Sequence, residues 1–163
     1  MGENRWREEA SWPLARTVYT PYYLHGDGRL SPTRPEGEGD PLSYVYDPQN
    51  PVPTLGGNIM RPELRGSFDQ RPLDEREDIL RFETEALEAP MEITGPVRAV
   101  LYAATDGVDT DFMAKLSVVK ADGRVMNLVD GVLRGRFREG FEKEVLMTPD
   151  KVYRLELDLW ATS

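Results

Sequence analysis

Hydrophobic positions recur with a period of two through the second half of the chain. In the run Phe112 to Val119, Phe112, Ala114, Leu116 and Val118 share one face while Lys115 and Ser117 fall on the other. This is the pattern of a half-buried strand. Val97 to Ala104 is a second apolar run, separated from the first by an acidic turn holding Asp106, Gly107, Asp109 and Asp111. Ala121-Asp122-Gly123 follows as another turn, because Asp-Gly supplies the backbone angles of a reversal. Val152 to Trp160 sets Tyr153, Leu155, Leu157 and Leu159 against Arg154, Glu156 and Asp158 over its length. A further hairpin is predicted around Asp130-Gly131, from Val125–Val129 into Val132–Phe137, with Arg134, Arg136 and Arg138 on one face.

The first half is more broken. Thr17 to Leu24 is aromatic and β-branched, and Pro21 limits it to an edge strand or a bulge before the turn His25-Gly26-Asp27-Gly28. Ser43–Tyr46, Ile79–Thr84 and Met91–Thr94 are short strand candidates. Residues 31–41 and 60–77 are long polar loops, and 1–16 is a charged lead-in carrying Trp6 and Trp12. Two Trp in a polar segment are expected to pack on the domain's own core or on a covalently linked neighbour. In the stretch 47–58, Pro48, Pro51 and Pro53 stiffen the chain, while Gly56 and Gly57 permit a sharp turn or a close backbone approach. With no long helical period, the sum is one all-β domain over 1–163, an antiparallel sandwich of about eight strands with jelly-roll or immunoglobulin-like connectivity. The last strand ends close to the end of the sequence, which predicts a sheet cut short there.

Composition narrows the function. The chain has 163 residues, room for one core, and no Cys, which excludes disulfides and thiolate chemistry. Its net charge is −9 with the charges interspersed, so nucleic acid is not an expected partner. There is no apolar run of membrane-spanning length and no signal segment, so a membrane is not expected either and a cytoplasmic location is. His25 is the one His and lacks ligand company, and no Ser lies in a G-x-S-x-G elbow, so catalytic residues are expected to be absent and no cofactor is implied. Asp106, Asp109 and Asp111 are the candidates for a hard cation such as Ca²⁺, but three carboxylates in a turn more often accept nearby backbone N–H groups. Tyr19, Tyr22, Tyr23, Tyr44 and Tyr46 could offer stacking faces to sugar rings, against ordinary core and interface packing. The Arg row is expected to be solvated or paired with a neighbouring acidic strand.

Taken in order, Tyr46-Asp47-Pro48, Pro51-Val52-Pro53 with Gly56-Gly57, Asp69-Gln70-Arg71, Arg76 with Asp78, Asp109-Thr110-Asp111-Phe112, Asp122-Gly123-Arg124 and Asp130-Gly131 resemble one family. They are similar to the C-terminal β-sandwich of the X-Pro dipeptidyl-peptidase and cocaine-esterase group of serine hydrolases. The resemblance implies a jelly roll of the galactose-binding type, packed against an α/β-hydrolase catalytic domain of the same parent chain that holds the Ser, Asp and His. It also implies that the Gly56-Gly57 loop leans toward the acyl pocket, so that Gly56, Gly57, Asn58, Ile59, Met60 and Arg61 are the residues nearest a substrate. Family members continue past Ala161-Thr162-Ser163 into further core strands, which implies an uncovered edge here. Such an edge invites a homo-oligomer, strand exchange or support by a partner. The alternative function is a stand-alone carbohydrate-binding module.

Overall fold

The computed structural model describes residues 6–37 and 39–162; residues 1–5 of the lead-in, Glu38 of the first polar loop and Ser163 lie outside the described residues. Among the described residues six strands form, in three antiparallel pairs. β1 (Tyr23–Leu24) pairs with β2 (Leu30–Ser31), β3 (Gly95–Ala103) with β6 (Tyr153–Thr162), and β4 (Asp111–Val119) with β5 (Val125–Arg134). Short 3₁₀ turns occupy Arg71–Leu73 and Gly135–Phe137. The all-β expectation holds, and the four long strands make a two-layer sandwich.

The alternation in β6 decides where the core lies. Leu155, Leu157 and Leu159 are buried while their neighbours Arg154, Glu156 and Asp158 are exposed. Those leucines pack with Phe112 and Met147, and around them close Val97, Ala99, Leu101 and Ala103 of β3 and Ala114, Leu116, Val129 and Leu133 of the other pair. Complete burial of each leucine side chain contributes about 1.5–3 kcal/mol, and small residues at facing positions let the layers approach. The β3–β6 register shifts between Pro96 and Arg98, so that Leu159 and Trp160 both lie opposite Val97. Trp160 takes φ 67° at this bulge, and the Asp158 carboxylate accepts its N–H at 2.8 Å.

Three expectations are corrected. Asp130-Gly131 is no turn: β5 runs through it, with Gly131 opposite Ala114 and Asp130 opposite Lys115. The reason is in the packing, since a Cβ at Gly131 would overlap the carbonyl oxygen of Asp158 in β6, so the glycine serves the contact between layers. Arg134, Arg136 and Arg138 consequently share no strand face, because the chain leaves β5 at Arg134 and winds through the 3₁₀ turn. Third, Ser43–Tyr46, Ile79–Thr84 and Met91–Thr94 form no strand, and Thr17–Leu24 contributes two residues to one. Every residue from 41 to 54 is exposed, so Ser43–Tyr46 finds no layer to pack against.

Gly131→Ala is expected to destabilise the domain by about 1–3 kcal/mol through overpacking. Gly107→Ala, where a Cβ meets nothing nearer than 3.7 Å, should be near neutral. Denaturant unfolding of the two variants checks the contrast; equal effects would restore the turn reading.

Candidate functional site

Residues 57–66 form a tongue closed at its base by two glycines. The Gly57 N–H donates to the Gly66 carbonyl at 2.7 Å and the Gly66 N–H returns to Gly57 at 3.1 Å. At the far end the Leu64 and Arg65 N–H groups both donate to the Arg61 carbonyl, at 3.0 and 3.1 Å, which turns the chain back. Asn58, Ile59, Met60 and Arg61 therefore occupy the outgoing limb and tip. Met60 is 98% exposed, Asn58 and Arg61 are exposed and Ile59 is half-buried. A methionine held out in water by an ordered turn is a feature that folding of this chain does not use.

The glycines do what their spacing suggests. Gly56 is buried at φ 69°, and a Cβ there would lie 2.8 Å from the Phe68 ring. Gly57, at φ 88°, sits under the Asp130 carboxylate, 2.5 Å from where a Cβ would be. Both the backbone angle and the close approach exclude a side chain.

Polar side chains fasten the returning limb to the edge of β5. Gln70 N–H donates to the Val125 carbonyl at 2.8 Å, and Asn127 N–H reaches the Phe68 carbonyl at 3.4 Å. Asn127, 2% exposed, accepts the Phe68 N–H at 2.7 Å and donates to the Gly66 carbonyl at 3.2 Å. Ser67 Oγ donates to the Asn127 carbonyl at 2.8 Å. Gln70 Nε2 bonds the carbonyls of Leu55 and Phe68, each at 2.9 Å, and Gln70 Oε1 accepts from Lys115 Nζ at 2.8 Å. Burial pushes the Lys115 ammonium below its ordinary value, against the pull of Asp130 across the strand pair. The register shift between Leu116 and Ser117 leaves Leu128 without an opposite number, so Asn127 shares the face of Ser117 and Lys115.

Other motif residues are structural ties. Arg76 forks onto Asp78 at 2.6 and 2.8 Å and also donates to the Asn50 carbonyl at 2.6 Å, joining two loops. Asp69 accepts from the Arg71 side chain at 2.6 and 2.8 Å and from the Val125 N–H at 3.2 Å. In the acidic turn, Arg134 pairs with Asp111, and Asp109 accepts the Arg136 N–H at 2.9 Å while facing both guanidinium groups at 3.5 Å. Asp106 stays exposed, and among the described residues no group of three His, Asp or Glu could hold a metal ion. Arg138 lies 4.5 Å from the Tyr153 ring centroid. His25 is absorbed by its hairpin, with Nε2 3.0 Å from the Thr33 carbonyl.

Large apolar side chains face water elsewhere. Trp6 is 102% exposed, Trp12 55%, Val18 81%, Tyr19 68% and Val45 87%, so the lead-in tryptophans do not pack on the domain's own core. Tyr22 lines a cleft of about 280 Å³ with Arg29, Ser31 and Glu85. Arg7 and Arg16 pair with Glu92, at 2.7 and 3.6 Å, and hold the lead-in beside the start of β3. The tongue's anchorage in Asn127 and Lys115 was not read from the sequence; the signal available was one amide inside the apolar run VMNLV.

These features define a β-sandwich domain that displays a shaped loop and apolar surface. The chain belongs to the X-Pro dipeptidyl-peptidase C-terminal non-catalytic domain family, whose profile matches residues 1–163. It is 41% identical over 172 residues to a cocaine esterase of Rhodococcus sp. (strain MB1 Bresler), aligning over 100% of this chain and 30% of that protein. A solved aminopeptidase from the marine sediment archaeon Thaumarchaeota archaeon superposes with TM-score 0.86 and 29% identity, over 99% of this chain and 29% of its own. A solved α-amino acid ester hydrolase gives 0.77 and 31%, over 88% and 26%. The chain thus spans about a third or less of the relatives it matches.

The Arg71 guanidinium holds the Asp69 carboxyl at about 2, below its ordinary 3.8, and Arg7, aided by Thr94, holds Glu92 at about 2 instead of 4.5. Folded values below unfolded ones add stability that is complete above the unfolded values and lost as pH falls through the folded ones. Acid is therefore expected to release the Gln70 limb and the lead-in between about pH 4.5 and 2. Unfolding midpoints measured against pH should show a shallower fall in Asp69→Asn than in the unmodified chain.

Proposed function

We propose that this domain works against an α/β-hydrolase catalytic domain of the same polypeptide, in an enzyme that cleaves esters, amides or X-Pro peptides through an acyl-enzyme. Its surface buttresses that domain, and Gly56 to Arg61 form part of the wall around the acyl group. The observation that carries this reading is Met60, 98% exposed at the tip of a tongue whose base is tightly bonded. A rigidly presented apolar side chain is suited to a pocket completed by another surface. The exposed Trp6, Val18, Tyr19 and Val45 supply apolar area for the same neighbour.

The natural polypeptide is expected to be several-fold heavier than 18.5 kDa, as an antibody to this chain would detect in an extract of its source. A band at 18.5 kDa would instead move a stand-alone binding module to the front. In the full enzyme, Met60→Trp should raise KM for bulky acyl groups by about 10-fold and leave small ones within about twofold, the size of effect one filled pocket subsite produces. Equal kinetics for both acyl sizes would remove the tongue from the pocket.

A further inference from the structure

Three side chains form a continuous path of hydrogen bonds from β4 to the backbone at the base of the tongue. Lys115 Nζ donates to Gln70 Oε1, Gln70 Nε2 donates to Asn127 Oδ1 at 3.3 Å, and Asn127 Nδ2 donates to the Gly66 carbonyl. That same carbonyl accepts the Gly57 N–H. On the other side, the Asp130 carboxylate packs closely against Gly57, leaving no room for a side chain there. Gln70 is 8% exposed and Asn127 2%, so water competes little for these bonds.

None of these groups belongs to the apolar core cluster. Lys115 and Asp130 face away from the leucine core, and a short polar loop could rest on β5 through backbone bonds alone. A buried amide pair and a partly desolvated ammonium set on one loop serve its orientation, because each buried polar group must be matched or is left unpaired.

We infer that Lys115, Gln70 and Asn127 are positioning residues that fix the angle of the tongue, and through it the place of Met60 and the acyl selectivity of the enzyme; the last step rests on the pocket reading above. Lys115 keeps the Gln70 amide oriented with its nitrogen toward the tongue. Without the ammonium, Gln70 Oε1 loses its donor and the amide is free to turn over, breaking the bonds to Leu55, Phe68 and Asn127 together.

The test uses the full-length enzyme with Lys115→Met, Asn127→Asp and, as the conservative variant, Lys115→Arg. Amide hydrogen exchange across residues 55–68 should quicken roughly tenfold in the first two while exchange in β3 and β6 is unchanged, and Lys115→Arg should restore most of the protection. With p-nitrophenyl acetate and p-nitrophenyl hexanoate as probes, KM for the longer acyl group should rise about fivefold in Lys115→Met with kcat held. Unchanged exchange at 55–68 in both variants would overturn the positioning role. Faster exchange with unaltered acyl selectivity would uphold the positioning of the tongue and overturn its link to the pocket, which is the failure of the earlier reading.

Discussion

Leu155, Leu157 and Leu159 project from one side of β6 into the space shared by both strand pairs, and each is at most 3% exposed. The β3–β6 pair and the β4–β5 pair are held together by this row and by the bare backbone at Gly131, where β5 passes directly over Asp158. Altering either weakens the contact between the layers, and with it the support that lets the free edge of β5 receive the tongue. Stability and presentation therefore draw on the same contact.

Outside that core the chain is fastened by charge and amide bonds. Arg76 with Asp78 and Asn50, Asp69 with Arg71 and Val125, and Arg7 and Arg16 with Glu92 tie successive loops to one another or to the strands. Such bonds fix geometry, and the exposed ones among them contribute little net stability. The result is a scaffold with a small apolar centre and a large, well-shaped exterior. That division suits a domain of a non-catalytic family whose relatives are three or more times its length.

The pairing of glycine with a charged or polar partner recurs wherever the shape of that exterior is set. Gly57 lies under Asp130, and the Gly66 carbonyl receives both Gly57 and Asn127. A glycine lets the backbone come close to the polar group, and at Gly66 the Asn127 amide bonds its carbonyl. The bulge that leaves Leu128 unopposed brings Asn127 to the side where it is needed.

The all-β class, the β6 alternation and the close approach at Gly56-Gly57 followed from residue order, because strand periodicity and glycine's permissive backbone are local properties. The motif string from Tyr46 to Gly131 likewise pointed to the family that the whole chain matches. What tertiary structure alone decided was whether a local pattern found a partner. Asp130-Gly131 has turn chemistry, yet β6 lies against it and the strand continues; Ser43 to Tyr46 is rich in aromatic and β-branched residues, yet no layer faces it and no strand forms. Asn127, Gln70 and Lys115 are 57 and 45 positions apart in their bonded pairs, so their association depends on chain packing that no local pattern encodes.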